Sequence, residues 1–367
     1  MKEAEKILLL AFRKSQKKFF LEMLKEEHTE NFYLEETRQY IVPSLTALKY
    51  ISKPDFNPAC DFAVDELIAK TSISFPKFIL RIFFKILTYI TYLRYYKIFD
   101  KNFSKVLIWN GGKFRQLIAI EIAKLLNKQV VYFENGLLPN TQVLDLKGIN
   151  FSNSVPRNKE FYQTYTSDIE LPSQLVPRVS KHTEKFNKQE DKLPKEFIFV
   201  PFQVDYDTQI ITESKFIKNM RALFDVIVEL SKETNFHFIL KEHPSSGINY
   251  PDLHKRVKEF NNITFANSYP TQELIEKSLA VVCINSTVGV ESLLLKKKVI
   301  LLGNAFYKIE GISYGASNIE ELKTLFSNFE TLEFNEDLVD KFLKYLYNDY
   351  LVKTDENLYK NFVHFLK

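Results

Sequence analysis

From residue 105 onward, short apolar runs alternate with amphipathic stretches of helical period. Residues 106–109 predict a buried strand and Asn110-Gly111-Gly112 a tight loop. Phe114, Leu117, Ile118, Ile122, Leu125 and Leu126 then mark one face of a helix, and 130–133 the next strand. The pattern is clearer in the second half. There strands at 197–200, 236–240, 263–265, 280–284 and 299–302 alternate with helices at 214–230, after Pro270-Thr271, at 288–295 and at 319–326. Such alternation implies parallel sheets covered on both faces, an α/β protein. After residue 335 the chain is helical again, with Leu338, Phe342, Leu343 and Leu346 on one face and Leu358, Phe362 and Phe365 near the end.

Two earlier stretches are distinctive. Met1 to Phe20 has an apolar run only at 7–12, followed by Arg13, Lys14, Lys17 and Lys18, and reads as an amphipathic helix without the cleavage site of a signal peptide. Residues 74–107 are the most apolar part of the chain, yet cations recur from Lys77 to Lys101, and the longest uncharged run, 86–93, falls well short of the ~20 residues a spanning helix needs. Lys77, Arg81 and Lys85 share one helix face, with Ile79, Phe83, Phe84 and Ile86 around the rest. Two readings stay open: a basic amphipathic helix lying on an anionic bilayer, or a core helix with one solvated basic stripe.

The chain has 367 residues, and this length favours two domains. The lysine-rich polar run 180–196 is the linker candidate. The division expected is 1–185, an N-terminal Rossmann-like domain with a helical N-terminal region; 186–345, a C-terminal Rossmann-like domain; and 346–367, a C-terminal helix packing back on the first domain. With 45% hydrophobic residues and a net charge of +4, disorder and disulfide scaffolds are excluded. No nucleic-acid partner is expected. Cys60 and Cys283 lie far apart with no ligand spacing beside them, so both read as reduced core residues of a cytoplasmic protein, and no metal site is expected. Only 9 glycines occur, where a usage of about 7% would give roughly 26, so each is a pointer to a backbone position that needs one.

Ligands of open parallel sheets bind at the carboxyl ends of strands, and the loops following the predicted strands are polar. They are Glu134-Asn135-Gly136, the run from Pro201 through Gln203, Asp205 and Asp207 to Gln209, Lys241-Glu242-His243-Pro244, the run Asn285-Ser286-Thr287 to Glu291, and Gly303 to Tyr307. Ser286 and Thr287 open a helix, which makes either an anion site or an ordinary N-cap. Gly289 in its first turn suggests that a ligand or another backbone approaches closely. Lys241 and His243 suit a phosphate or carboxylate. Glu134 and Asp207 are the two carboxylates able to do acid/base or nucleophilic work, each otherwise a loop acid bonded to backbone amides.

Together these residues resemble the capsule polysaccharide synthesis family of bacterial retaining β-Kdo glycosyltransferases. The resemblance rests on FENGLLPNTQVLDLKGINFSNSVPR (133–157), PFQVDYDTQI (201–210), KEHP (241–244) and INSTVGVESLLLKKKVILLGNAFYKIEG (284–311). It implies a GT-B fold, with two Rossmann-like domains and a cleft between them, the first on the acceptor side and the second binding CMP-Kdo. It also implies transfer with retention, with Glu134 as acid/base and Asp207 as nucleophile, Asp205 being the competing choice. Donor-binding positions would be Gln203, Gln209, Lys241, His243, Pro244, Asn285, Ser286, Thr287, Glu291 and Phe306. Asn110, Gly136, Asn150 and Arg157 would lie on the acceptor side. No cofactor beyond the donor CMP-Kdo is implied. The acceptor would be a lipid of the lyso-phosphatidylglycerol kind or a Kdo-terminated saccharide, and the setting a capsule assembly complex in the cytoplasm or peripheral on the inner membrane. The rival readings are a GT-B transferase using another nucleotide sugar and a non-catalytic polysaccharide-binding subunit of a synthesis or export complex.

Overall fold

The computed structural model describes residues 6–24, 30–40, 42–71, 75–176, 192–355 and 357–366. Most of the linker candidate 180–196 lies outside these residues. The chain forms two compact units: residues 1–136, 140–154 and 351–367 make the first, and 137–139 with 155–350 the second. This differs from the division expected from sequence, because residues 155–176 go with the second unit. The reason is aromatic packing: Tyr162 is fully buried, and its ring lies 5.2 Å from Phe342 and 5.8 Å from Tyr345.

The first unit runs β1 (Ile7–Ala11), α1 (Lys14–Leu24), β2 (Phe32–Glu36), α2 (Asn57–Thr71), α3 (Lys77–Phe99), β3 (Lys105–Trp109), α4 (Phe114–Leu125), β4 (Gln129–Asn135) and β5 (Thr141–Asp145). The second holds α5 (Lys159–Thr164), β6 (Phe197–Pro201), α6 (Thr208–Glu213), α7 (Met220–Glu233), β7 (His237–Lys241), α8 (Pro251–Arg256), β8 (Ile263–Phe265), α9 (Thr271–Lys277), β9 (Ala280–Cys283), α10 (Thr287–Leu294), β10 (Lys298–Leu301), β11 (Tyr314–Gly315), α11 (Ile319–Ser327) and α12 (Glu336–Tyr345). The chain then returns to the first unit with β12 (Leu351–Lys353) and α13 (Leu358–Leu366).

The first sheet has the order β12-β5-β4-β3-β1-β2. Its centre is parallel, but β5 pairs antiparallel with both β4 and β12, so the all-parallel expectation fails at this edge. The expected N-terminal helix begins instead with a strand. Leu8 and Leu10 pack with α3 and α4 on one face, Leu9 and Ala11 with Phe20 and Phe362 on the other, and all four strand residues are fully buried. A strand buried on both faces shows an unbroken apolar run, which at six residues looks the same as one side of a helix.

The second sheet is all parallel, in the order β11-β10-β9-β6-β7-β8. Counted from β6 this is the 3-2-1-4-5-6 order of a dinucleotide-binding fold, with its reversal of direction between β6 and β9. Ile198 and Val200 face α7 and α11, while Phe197 and Phe199 face α9 and α10. The helix expected over 214–230 starts later, as α7 at Met220, where the Asn219 side chain accepts from the Ala222 amide 2.8 Å away, and the short α6, which ends at Glu213, precedes it. Both cysteines are buried, and burial pushes the Cys283 thiol up to about 11, which makes it an unreactive core group.

Candidate active site

The first unit gathers its polar groups around one carboxylate. β4 pairs with β3, so Glu134 stands one residue beyond Phe133, the partner of Trp109. Trp109 Nε1 donates to Glu134 Oε1 at 3.0 Å, and Asn110 Nδ2 donates to Oε2 at 2.9 Å. Asn110 reaches it from a left-handed backbone (φ 70°) stabilised by its own side chain, which accepts from the Gly112 amide. Glu134 is therefore oriented on both oxygens while remaining half-buried. Asn110 acts here as a partner of the carboxylate. Trp109, which the sequence reading passed over, is the other, and its indole is fixed by Phe133 at 4.7 Å and Phe19 at 5.4 Å.

Two further residues assigned to the acceptor side have local work. A Cβ at Gly136 would stand 2.2 Å from the carbonyl oxygen of Thr141, so glycine is required where β4 turns into β5. Asn150 (φ 53°) opens a short turn after β5, in a loop that buried Asp145 ties down through the amides of Lys147 and Ser154. Arg157 belongs to the second unit, correcting its place in the first: its guanidinium lies 5.7 Å above the Phe306 ring. Phe306 is itself buried against Tyr307 and Phe342.

In the second unit the loops after β6 and β9 meet at the reversal point. Gln203 Nε2 donates to Asn285 Oδ1 at 3.0 Å, the Asn285 amide donates back to Gln203 Oε1 at 3.2 Å, and Asn285 Nδ2 donates to the Gln209 carbonyl at 3.0 Å. Gln203 and Asn285 are almost fully buried, so this lock fixes the two loops relative to each other. The aspartates two residues apart separate cleanly. Asp205 is 4% exposed and accepts from the Met220 amide at 2.6 Å and from the Tyr250 hydroxyl at 2.9 Å. Burial pushes its carboxyl above the usual range, against the pull of those two donors. Asp207 is half-buried at the N-cap of α6, where its Oδ1 accepts from the Gln209 amide at 2.9 Å.

Next to this lies a pocket of ≈ 540 Å³ that includes Lys241, Pro244, Tyr269, Thr271 and Glu291 in its lining. It brings together three residues assigned to the donor, and adds the β8–α9 loop from Asn267 to Pro270, which the sequence reading did not single out although it too follows a strand. Lys241 holds that loop: its ammonium donates to the carbonyls of Asn267 at 2.5 Å and Tyr269 at 2.7 Å. Glu242, buried, accepts from Asn267 Nδ2 at 3.2 Å and pairs with His254 Nε2 at 2.6 Å. His243 is half-buried, and its Nδ1 accepts from the Ser245 amide at 3.1 Å, which leaves the neutral ring's proton on Nε2. Ser286 caps α10, its Oγ accepting from the Val288 amide at 3.1 Å, and Thr287 follows half-buried. The close neighbour of Gly289 is a side chain and not a ligand: a Cβ there would meet the Tyr307 hydroxyl at 2.2 Å, and that hydroxyl donates to the Ser286 carbonyl. Among the described residues no group of three or more His, Cys, Asp or Glu is placed to hold a metal ion.

Two Rossmann-like units on one chain, each with polar loops at the carboxyl ends of its parallel strands, define a protein of the GT-B fold class. Residues 176–351, just under half of the chain, match the family model described as capsule polysaccharide biosynthesis protein. Among curated relatives, Protein FixF of Sinorhizobium fredii (strain NBRC 101917 / NGR234) is 36% identical over 254 residues, 68% of this chain and 60% of that protein. Capsule polysaccharide export protein KpsS of Escherichia coli is 27% identical over 182 residues, 46% of this chain and 47% of its own length. The chain thus spans about half to three-fifths of these relatives. A solved structure titled Thermosulfurimonas dismutans KpsC, beta Kdo 2,7 transferase is 16% identical with a TM-score of 0.48, covering 99% of this chain and 100% of that one.

Proposed function

We propose that the chain is a retaining β-Kdo transferase of capsule polysaccharide biosynthesis that uses CMP-Kdo as donor and a lipid or Kdo-terminated saccharide as acceptor. The observation that carries the reading is the separation of roles among carboxylates. Asp205 is consumed inside the fold, which leaves Asp207 as the half-buried aspartate of its loop, while Glu134 is oriented by Trp109 and Asn110. The family match over 176–351 supports the donor side of this assignment.

In the first step the Asp207 carboxylate attacks the anomeric carbon of Kdo as its bond to the phosphate oxygen breaks. The electron pair leaves with CMP, a phosphate monoester that needs little protonation. His243 Nε2–H and the helix start at Ser286-Thr287 are the donors assigned to that phosphate. In the second step Glu134 takes the proton of the acceptor hydroxyl, the acceptor oxygen attacks the same carbon, and the ester to Asp207 breaks, returning the carboxylate. Two inversions give net retention. The scheme assigns no step to a cofactor.

Intact-mass measurement tests it. Glu134→Gln incubated with CMP-Kdo is expected to accumulate protein carrying one Kdo, and Glu134→Gln combined with Asp207→Ala is expected to carry none. An unmodified Glu134→Gln protein, or an adduct that survives loss of Asp207, overturns the assignment. A thermal shift with CMP but not with UDP is the expected donor signature.

A further inference from the structure

The sequence left two readings of α3, and the structure decides which face of the helix is buried. Its second half is core: Tyr92, Tyr95, Tyr96, Ile98 and Phe99 are buried against the first sheet. Its first half turns a different surface outward. Ile79, Ile82, Phe83, Ile86 and Ile90, spaced i, i+3, i+4, i+7 and i+11, form one stripe on the side away from the core, and Ile82, Phe83 and Ile86 are each 58% exposed. Phe75 and Phe78 extend it at the start of the helix. The stripe spans about 20 Å at 1.5 Å per residue. The basic stripe is exposed too, on a neighbouring face, where Lys77 and Arg81 pair with Asp65 and Asp61 of α2 at 3.1 Å.

We propose that this face of α3 docks on the surface of an anionic phospholipid bilayer. A soluble surface does not ordinarily leave so many adjacent large apolar side chains exposed, and charge complementarity selects the occupant. α3 contains no acidic residue. Lys85 borders the stripe and Lys97 ends it, both exposed, and neither takes part in an ion pair among the described residues. The segment beside the helix, tied to it by the Ser44 amide donating to the Leu93 carbonyl at 2.8 Å, adds exposed Val42, Leu45 and Leu48 together with exposed Lys49. Apolar side chains bordered by lysines whose stems can lie along them while their ammonium groups reach phosphates are the pattern of a helix in the interfacial plane. A second copy of this chain docked face to face would set the lysines of α3 against one another, with no acid on the helix to answer them. Among the described residues no helix is long and apolar enough to cross a membrane, so α3 would lie in the surface and not span it.

Flotation of the full chain with vesicles of phosphatidylethanolamine and phosphatidylglycerol, against vesicles of phosphatidylcholine alone, tests this without donor or acceptor sugar. Its failure is therefore distinct from failure of the transferase reading. The wild type is expected to float with the anionic vesicles and to be partly released by salt. Ile82→Ser/Phe83→Ser/Ile86→Ser, at exposed positions, should keep the wild-type melting curve and lose partitioning by about tenfold or more. Lys85→Gln/Lys97→Gln should reduce the preference for anionic vesicles by about fivefold per lysine. Absence of flotation, flotation unchanged by the triple variant, or a dimer in light scattering that the triple variant dissociates while vesicles stay unbound would overturn the proposal.

Discussion

At the carboxyl edge of the first sheet, Trp109 and Asn110 both donate to one carboxylate, Glu134; at the edge of the second, the polar side chains bond mainly to one another. Gln203 closes on Asn285, Lys241 on two carbonyls, Asp205 on Tyr250, and Glu242 on His254 and Asn267. One edge orients a single carboxylate; the other stiffens the loops around a pocket. Preorganisation is common to both, but what it prepares differs: one oriented carboxylate in the first unit, a rigid cradle in the second.

The contrast breaks most visibly at Glu134. Glu134→Gln is expected to lower transfer at least about 100-fold with an unchanged denaturation midpoint, measured by product mass and urea unfolding. A large loss of stability would mean that the first edge is a structural lock as well. In the second unit Asn285→Ala should do the opposite. It leaves the Gln203 amide buried without its partner, so stability falls by about 1–3 kcal/mol and the thermal shift with CMP weakens. Trp109→Phe sharpens the picture of the first edge: the ring packing with Phe133 and Phe19 is retained and only the N–H donor to Glu134 is lost. Turnover should drop about tenfold, with the fold unperturbed.

The smallest effect is expected at Asp205. Burial raises the Asp205 carboxyl above its ordinary value, so the folded protein holds this proton more tightly than the unfolded chain does. Its contribution to stability is then fully present below about pH 3.9, the unfolded value, and is lost as pH rises through the raised native value. Asp205→Asn removes that slope. Urea midpoints across the acid range should show its deficit against wild type greatest at low pH and shrinking toward neutrality.

The second sheet was legible because its strands alternate with amphipathic helices and its loops carry unusual polar runs. The first was harder. β1 lies within a six-residue apolar run followed by cations, and nothing local says that both of its faces are covered. α3 showed its basic stripe at once, yet which of its two apolar sides meets the core depends on the sheet it packs against. Site residues followed the same rule. Gly289 was rightly marked as special, but its cause is Tyr307, distant in sequence, whose hydroxyl fills the space a Cβ would take. Asn285 and Lys241 stood out as polar groups after strands, while their actual partners, Gln203 and the carbonyls of Asn267 and Tyr269, are set by the fold. Trp109 was read as strand core because its aromatic body hides a single useful N–H.

The return of the chain to the first unit has a consequence for its birth. β12 completes the edge of the first sheet beside β5, and Phe362 closes the apolar face that Leu9, Phe20 and Phe133 share. On the ribosome those residues emerge after the whole second unit, which has every strand of its own sheet already in hand. Vectorial synthesis favours folding from the amino terminus, yet here the earlier-made unit must wait with an open edge and an uncovered aromatic face until the second unit has been made. The unit begun second is the one able to finish folding first.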